Sequence, residues 1–259
     1  LLGVIHLDHL NWLDNKTIDG VIYEKTSALP TSNIFVNNQM NSEIKIKIKN
    51  SLIENKSKKY FFGDDFNVAK SENSFIHYQD ELGEIMLPQP NLIGDHQIYN
   101  ISTSIAASRK IFDISDASIK NSMKKMILKG RLEEIKSGKL KSLIGENRLI
   151  IDGGHNINSA ISISNWVKQQ NEKVHLICGM MNDKPHKEFV NQFENSVNSI
   201  TLIDIPNQEG SISKEEFKKK LGNKNIHTAE SIEESLLMNN NDKNCIFLCA
   251  GSLYLAGEV

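Results

Sequence analysis

Apolar residues follow two rhythms along this chain, mixed before residue 148 and regular after it. Residues 3–7 form an apolar run that predicts a strand ending in Asp8-His9. Ile18, Val21, Ile22, Ala28 and Leu29 recur at helical spacing and predict a helix over about 17–28, with Thr17 as N-cap. Lys25 falls on that same face, seven residues after Ile18. A short strand is predicted at 34–36. Ile44, Ile46 and Ile48 alternate with lysines, as in a strand, yet Ile44, Ile48 and Leu52 also fit a helix. About 14 residues without a turn signal favour the helix. Residues 60–87 predict short strands with turns at Gly63-Asp64 and Glu81-Leu82-Gly83. Leu87-Pro88-Gln89-Pro90-Asn91 is a connector. Asp95 then caps a helix from His96 to about Lys110, with Ile98, Ile101, Ile105 and Phe112 as its buried face and Asn100 off it. A further helix is predicted over about 115–127. The polar, glycine-containing segment 129–147 holds the domain boundary.

From Arg148 the pattern is clean. Leu149-Ile150-Ile151 is a buried-strand signal that stops at Asp152-Gly153-Gly154 and turns into a helix carrying Ile161, Trp166 and Val167. Strands at 173–179 and 199–205 precede helices at 184–196 and 213–221. Ser213-x-x-Glu216 and Ser231-x-x-Glu234 read as capping boxes. The run Cys245–Ala250 breaks at Gly251-Ser252 and continues as Leu253-Tyr254-Leu255. Such alternation predicts a doubly wound, mainly parallel sheet, whose ligands bind at the carboxyl ends of the strands. The turns at 152–156, 179–184 and 250–253 lie on that edge.

Composition narrows the class. The 259 residues are 39% hydrophobic and 24% charged with a net charge of −2, which suits a soluble chain of two domains. That balance gives no electrostatic case for nucleic acid or a membrane surface, and no apolar run reaches the ~18 residues of a spanning helix. Cys178, Cys245 and Cys249 sit inside apolar runs without CxxC spacing, which argues for a reducing cytoplasm and against disulfides or a zinc site. The chain opens with Leu1 in mid-strand and without a basic leader, so a fragment lacking its N-terminal part is expected.

Candidate chemistry collects at the turns. Backbone N–H groups and a helix N-terminus beside Asp152, His155 and Asn156 suit a negatively charged ligand, although an ordinary strand-to-helix turn with an Asn cap fits the spacing equally. An ammonium at Lys25 on an apolar face needs a partner or a chemical change, unless the side chain snorkels past the stripe. Asn100, near its helix start, either reaches a ligand or is solvated.

The motifs, in order, resemble the folylpolyglutamate synthase/dihydrofolate synthase family, a branch of the Mur ligases. Leu7-Asp8-His9 with Trp12-Leu13 resembles its LDHxxxLG segment, and Glu24-Lys25 its EKAG motif. Gly94-x-His96-Gln97-x-x-Asn100 resembles GxHQxxNA, and Gly130-Arg131 the PGR motif of the interdomain linker. Asp152-Gly153-Gly154-His155-Asn156 resembles DG(A/G)HN, Gly179-Met180 with Asp183-Lys184 resembles GMxxDKD, and residues 251–259 resemble the GSLYLAGEV ending.

The resemblance implies an α/β chain with residues 1–129 as the C-terminal part of an ATP-binding Mur ligase domain, its phosphate loop missing. Residues 130–259 would form a doubly wound, Rossmann-like glutamate-ligase domain. The implied enzyme joins L-glutamate to dihydropteroate or to a folate, through an acyl phosphate made at the expense of ATP. ATP and Mg2+ are the implied cofactors, and a cytoplasmic monomer acting on small molecules, without nucleic acid or membrane, is expected. By the same resemblance His9 is a magnesium ligand and Lys25 a carbamate-forming lysine. Asn100 contacts adenine, Arg131 reaches phosphate and Asp152 binds the ribose or its surroundings. His155 and Asn156 line the glutamate and acyl-phosphate side, with Ser252 and Tyr254 as further substrate contacts. Thr26-Ser27 stand where the family has Ala-Gly, and Ile157 where Pro is common. No G-x-x-x-x-G-K-[ST] occurs, so the chain alone is expected to be inactive. Another Mur-type amino-acid ligase, or a non-catalytic ligand-binding relative, are the alternatives.

Overall fold

The computed structural model describes residues 1–7, 13–71, 75–222 and 226–259, and it divides into two units. The first comprises residues 1–91 and 95–127, the second 92–94 and 128–259.

The first unit begins with helix α1 (Ile18–Ser27), which Thr17 caps by accepting from the Gly20 amide. Strand β1 (Ile34–Val36) and helix α2 (Ser42–Ser51) follow, and β1 pairs in parallel with β2 (Lys59–Phe61). Val21, Ile22, Ile34, Val36, Ile48, Leu52 and Phe61 close a core over that pair. The helical reading of 44–48 holds because only Ile48 and Leu52 are fully buried, one turn apart, while Ile46 is exposed. Residues 3–7 do not form the expected strand: a single bridge joins Leu2 to Val36, and the Ile5 amide is taken by the Gln39 side chain instead.

Strands β3 (Phe66–Lys70), β4 (Phe75–Asp80) and β5 (Gly83–Pro88) form an antiparallel sheet, and the two-residue turn Glu81-Leu82 falls where expected. Arg109 fastens that turn to helix α3 (His96–Ile111), donating to Asp80, Gly83 and Leu82. Two details of α3 differ from expectation. Asp95 does not cap it, because its carboxylate pairs with Lys70 at 2.5 Å, and Phe112 is exposed beyond the helix end. Helix α4 (Asp116–Met123) is capped by Ser115 and stops short of 127.

In the second unit the segment expected to hold the domain boundary contributes structure of its own, strand β6 (Glu133–Ile135) and helix α5 (Lys139–Leu143). Strand β7 (Arg148–Asp152) and helix α6 (Ile157–Val167) lead to β8 (Lys173–Cys178), α7 (His186–Asn191), β9 (Ser199–Leu202) and α8 (Lys214–Leu221). Strand β10 (Ile226–Thr228), helix α9 (Ile232–Met238), β11 (Cys245–Ala250) and α10 (Leu253–Gly257) complete it. The six strands lie in the order β10-β9-β8-β11-β7-β6, parallel except for β6. Both faces are covered, which is why the parallel strands read as continuous apolar runs. Helices α6, α7 and α8 bury Ile163, Trp166, Phe189 and Phe217 on one face, and α5, α9 and α10 pack Leu140, Leu236 and Leu255 on the other. The three cysteines are buried free thiols. At Ser213 and Ser231 the serine accepts from the third helical amide, as predicted, but the Glu234 carboxylate turns to the Glu230 amide. Among the described residues no helix is long and apolar enough to cross a membrane.

Candidate functional site

Strand β7 feeds α6 on one face of the sheet, and its neighbour β11 feeds α10 on the other. Adjacent loops that leave a parallel sheet in opposite directions open a crevice at the strand ends. The turns at 152–156 and 250–253 flank that point, and glycines hold them close. Gly251, at φ +115°, has the carbonyl oxygen of Gly179 only 2.7 Å from where a Cβ would stand. A Cβ at Gly153 would meet Leu253 of α10 at 2.1 Å and an Arg131 guanidinium nitrogen at 2.9 Å.

Asp152 is the pin of this edge. It is 5% exposed, and its two oxygens accept from the Gly154 amide at 2.6 Å and the Leu132 amide at 2.9 Å. The second bond ties the 130–132 loop to the end of β7, and the Gly153 amide adds a bond to the Gly130 carbonyl at 2.8 Å. Leu132 is held there at φ +45°, a conformation disfavoured for a branched side chain. Burial pushes the Asp152 carboxyl above the usual carboxylate range, and the two amides and the nearby Arg131 guanidinium pull it back. Arg131, half-buried, bonds its own loop through the Gly130 carbonyl at 3.1 Å.

The neighbouring candidates are partly committed to the backbone. Asn156 caps α6 by accepting from the Ser159 amide at 2.9 Å, and the Ser159 hydroxyl accepts from the Asn156 amide at 3.1 Å. The Asn-cap half of the sequence reading is therefore present, in a reciprocal box whose Ser159 partner the sequence reading missed. A ring nitrogen of His155 lies 3.3 Å from the Gly153 carbonyl. Ser252, 3% exposed, caps α10 by accepting from the Tyr254 amide, whereas the Tyr254 ring is exposed. Arg131, Asp152, His155, Asn156, Ser252 and Tyr254 thus gather on one sheet edge.

Lys25 and Asn100 belong to the first unit. Lys25 is exposed, contrary to the buried face read from periodicity, and so is Ala28. Both stand in the last turn of α1 on the solvent side with Tyr23, Glu24 and Ser27, while Thr26 is the residue of that turn that is buried. The ammonium therefore carries no burial penalty that a carbamate would need to relieve. Asn100, also exposed, accepts from the Asn37 side chain at 2.7 Å and donates to Gln97 at 3.1 Å. Asn37 was missed; its one sequence signal is a polar pair, Asn37-Asn38, set directly at the carboxyl end of β1. A cavity of about 200 Å³ near the start of α3, lined by Val68, Lys70, Asp95, Ile98 and Tyr99, is below the usual size of a ligand pocket.

The expected metal ligand His9 lies outside the described residues. Among those described, no group of three His, Cys, Asp or Glu is placed to hold a metal ion. The described residues do not by themselves make a magnesium site, and no step below passes through one.

Residues 130–253 match the sequence family described as Mur ligase, glutamate ligase domain. No curated protein matches by sequence. Among solved structures, Escherichia coli FolC in complex with ADP superposes with a TM-score of 0.80 at 21% identity, over 98% of this chain and 59% of that one. Mycobacterium tuberculosis folylpolyglutamate synthase, complexed with ADP and AMPPCP, gives 0.79 at 17%, over 98% and 61%. The bifunctional folylpolyglutamate synthase/dihydrofolate synthase of Yersinia pestis, complexed with AMPPNP and a manganese ion, gives 0.79 at 17%, over 98% and 58%. These likenesses show a shared fold. The chain spans about three fifths of the length of the structures it matches.

Proposed function

We propose that this chain, whose residues 130–253 match the glutamate ligase domain of the Mur ligases, is part of an ATP-dependent ligase that joins L-glutamate to dihydropteroate or a folate. The observation that supports this reading best is Arg131, held on the 130–132 loop against Gly153 at the crevice edge. A guanidinium there suits phosphate oxygens, which it grips bidentately. The ordered motifs of the sequence and the fold shared with nucleotide-bound synthases point the same way.

In this reading a carboxylate oxygen of the pterin substrate attacks the γ-phosphorus of ATP, and ADP leaves. The amine of glutamate then attacks the acyl phosphate, the tetrahedral adduct collapses to an amide, and inorganic phosphate departs with the former carboxylate oxygen. Arg131 neutralises charge on the transferring phosphoryl group, the task that dominates such chemistry. Asp152 acts by fixing the 130–132 loop that carries Arg131, with ribose contact as a second role. His155 and Asn156 border the amino-acid and acyl-phosphate side, with Ser252 and Tyr254 beyond them. Asn100 contacts the base. The carbamate role of Lys25 and the metal role of His9 rest on motif resemblance alone.

The test is glutamate-dependent ADP release by the product of the intact gene. Arg131→Ala should lower turnover by ~100-fold or more while leaving the thermal melt in place, the usual loss for a group that stabilises transition-state charge. Near-normal turnover in that variant would remove Arg131 from the site. A protein that releases no ADP with either pterin acid would overturn the ligase reading itself.

A further inference from the structure

The amide chain around Asn100 has a direction, and one backbone group sets it. The Asn38 N–H, which can only donate, is accepted by Asn37 Oδ1 at 2.7 Å. That turns Asn37 Nδ2 toward Asn100, whose Oδ1 accepts from it at 2.7 Å. Asn100 Nδ2 must then face Gln97 Oε1, at 3.1 Å, and Gln97 Nε2 lies 3.0 Å from His96 Nε2. Asn37 and Gln97 are buried, at 4% and 3% exposure, so water does not scramble the order. A carboxamide has two acceptor lone pairs and two N–H donors. Asn100 uses one of each inside the chain, which leaves one acceptor and one donor in fixed order on an exposed residue.

We infer that Asn37 is a positioning residue that locks the Asn100 amide to read adenine rather than guanine on the nucleotide. The inference rests on the reading that Asn100 contacts the base. Adenine offers an exocyclic N–H beside a ring acceptor, the pattern an oriented Asn matches bidentately. On the Watson–Crick edge guanine offers O6 beside N1–H, which the same amide meets with acceptor against acceptor and donor against donor. Turning the amide over exchanges the two preferences.

Asn37→Asp isolates this effect. The carboxylate still accepts the Asn38 N–H, but it offers no donor, so the Asn100 and Gln97 amides turn over about their terminal torsions, and His96 meets the reversed Gln97 through an Nε2–H. Ligation by the intact gene product, read as the ratio of kcat/KM for ATP to that for GTP, should fall ~10-fold or more in Asn37→Asp, carried by KM. Gln97→Glu still accepts from Asn100 and should keep the wild-type ratio. An unmoved ratio in Asn37→Asp, or an equal fall in both variants as general loosening would give, overturns the inference. Should Asn37→Asp not fold, N6,N6-dimethyl-ATP decides on the wild type, since it lacks the exocyclic donor. Discrimination against it of ~10-fold or more supports the locked order, and equal use overturns it. If neither ATP nor GTP supports ligation, the functional reading fails first, and that result is distinct from ligation with an unmoved ratio.

Discussion

The two units fix their candidate groups by different means. In the second, backbone does the fixing: Asp152 is clasped by two amides, Gly251 lies against the Gly179 carbonyl, and Ser252 and Asn156 are spent as caps. In the first, side chains fix one another, as in the relay from Asn37 through Asn100 to Gln97. Backbone-built sites tolerate little change in shape, whereas amide relays tolerate shape change and are sensitive to donor–acceptor identity. The difference teaches where to look for each kind of damage.

Two glycines of nearly equal conformation break the comparison most sharply. Gly251 and Gly83 adopt φ of +115° and +112°, but a Cβ at Gly83 has nothing within 4 Å. Gly83→Ala should therefore cost only backbone strain, about 1–2 kcal/mol by chemical denaturation. Gly251→Ala adds a clash with a backbone oxygen and should cost about 3 kcal/mol or more. Equal losses would mean that the crevice turns are not tightly packed.

Asp152→Asn comes next. The amide accepts from only one of the Gly154 and Leu132 N–H groups and sets a donor against the other, so about 1–3 kcal/mol of stability should be lost. Relief of a buried carboxylate offsets part of that loss. A variant as stable as the parent would show that the 130–132 loop is held by something other than Asp152.

The smallest effect concerns pH. At the amino ends of the strands His175 is buried between Ser199, at 2.8 Å, and Asp242, at 3.0 Å. Burial pushes its pKa below the ordinary 6.5, against the pull of Asp242, with Lys173 adding to the depression. The unfolded chain then takes up the proton first on acidification. Stability due to His175 is complete above 6.5 and declines as pH falls from there through the lowered folded value. The slope cannot exceed about 1.4 kcal/mol per pH unit for one group. His186 is depressed in the same direction by burial, so His175→Gln should flatten the slope in part. An unchanged slope would take His175 out of the linkage.

Legibility in the sequence follows the same division. The sheet of the second unit was readable because strands buried on both faces, such as Leu149–Ile151 and Cys245–Ala250, leave no ambiguity of period. The candidate residues around Asp152 could be placed on one edge for the same reason, since a parallel sheet gathers its loops at the strand ends. Lys25 was misplaced because spacing from Ile18 does not fix which neighbour in the last turn of α1 faces inward, and Thr26 takes that place. Asn37 was invisible because its role depends on a residue 63 positions away, which no local pattern encodes. Strand β6 went unread because an edge strand of three half-buried residues lacks an apolar run.

Oxygen transfer tests the proposed chemistry most directly. Dihydropteroate or folate labelled with 18O in its carboxylate is turned over by the product of the intact gene with ATP and glutamate, and the released phosphate is analysed by mass. Activation of the acid through an acyl phosphate predicts one 18O atom in each phosphate formed with amide product. Unlabelled phosphate accompanying amide formation would contradict it.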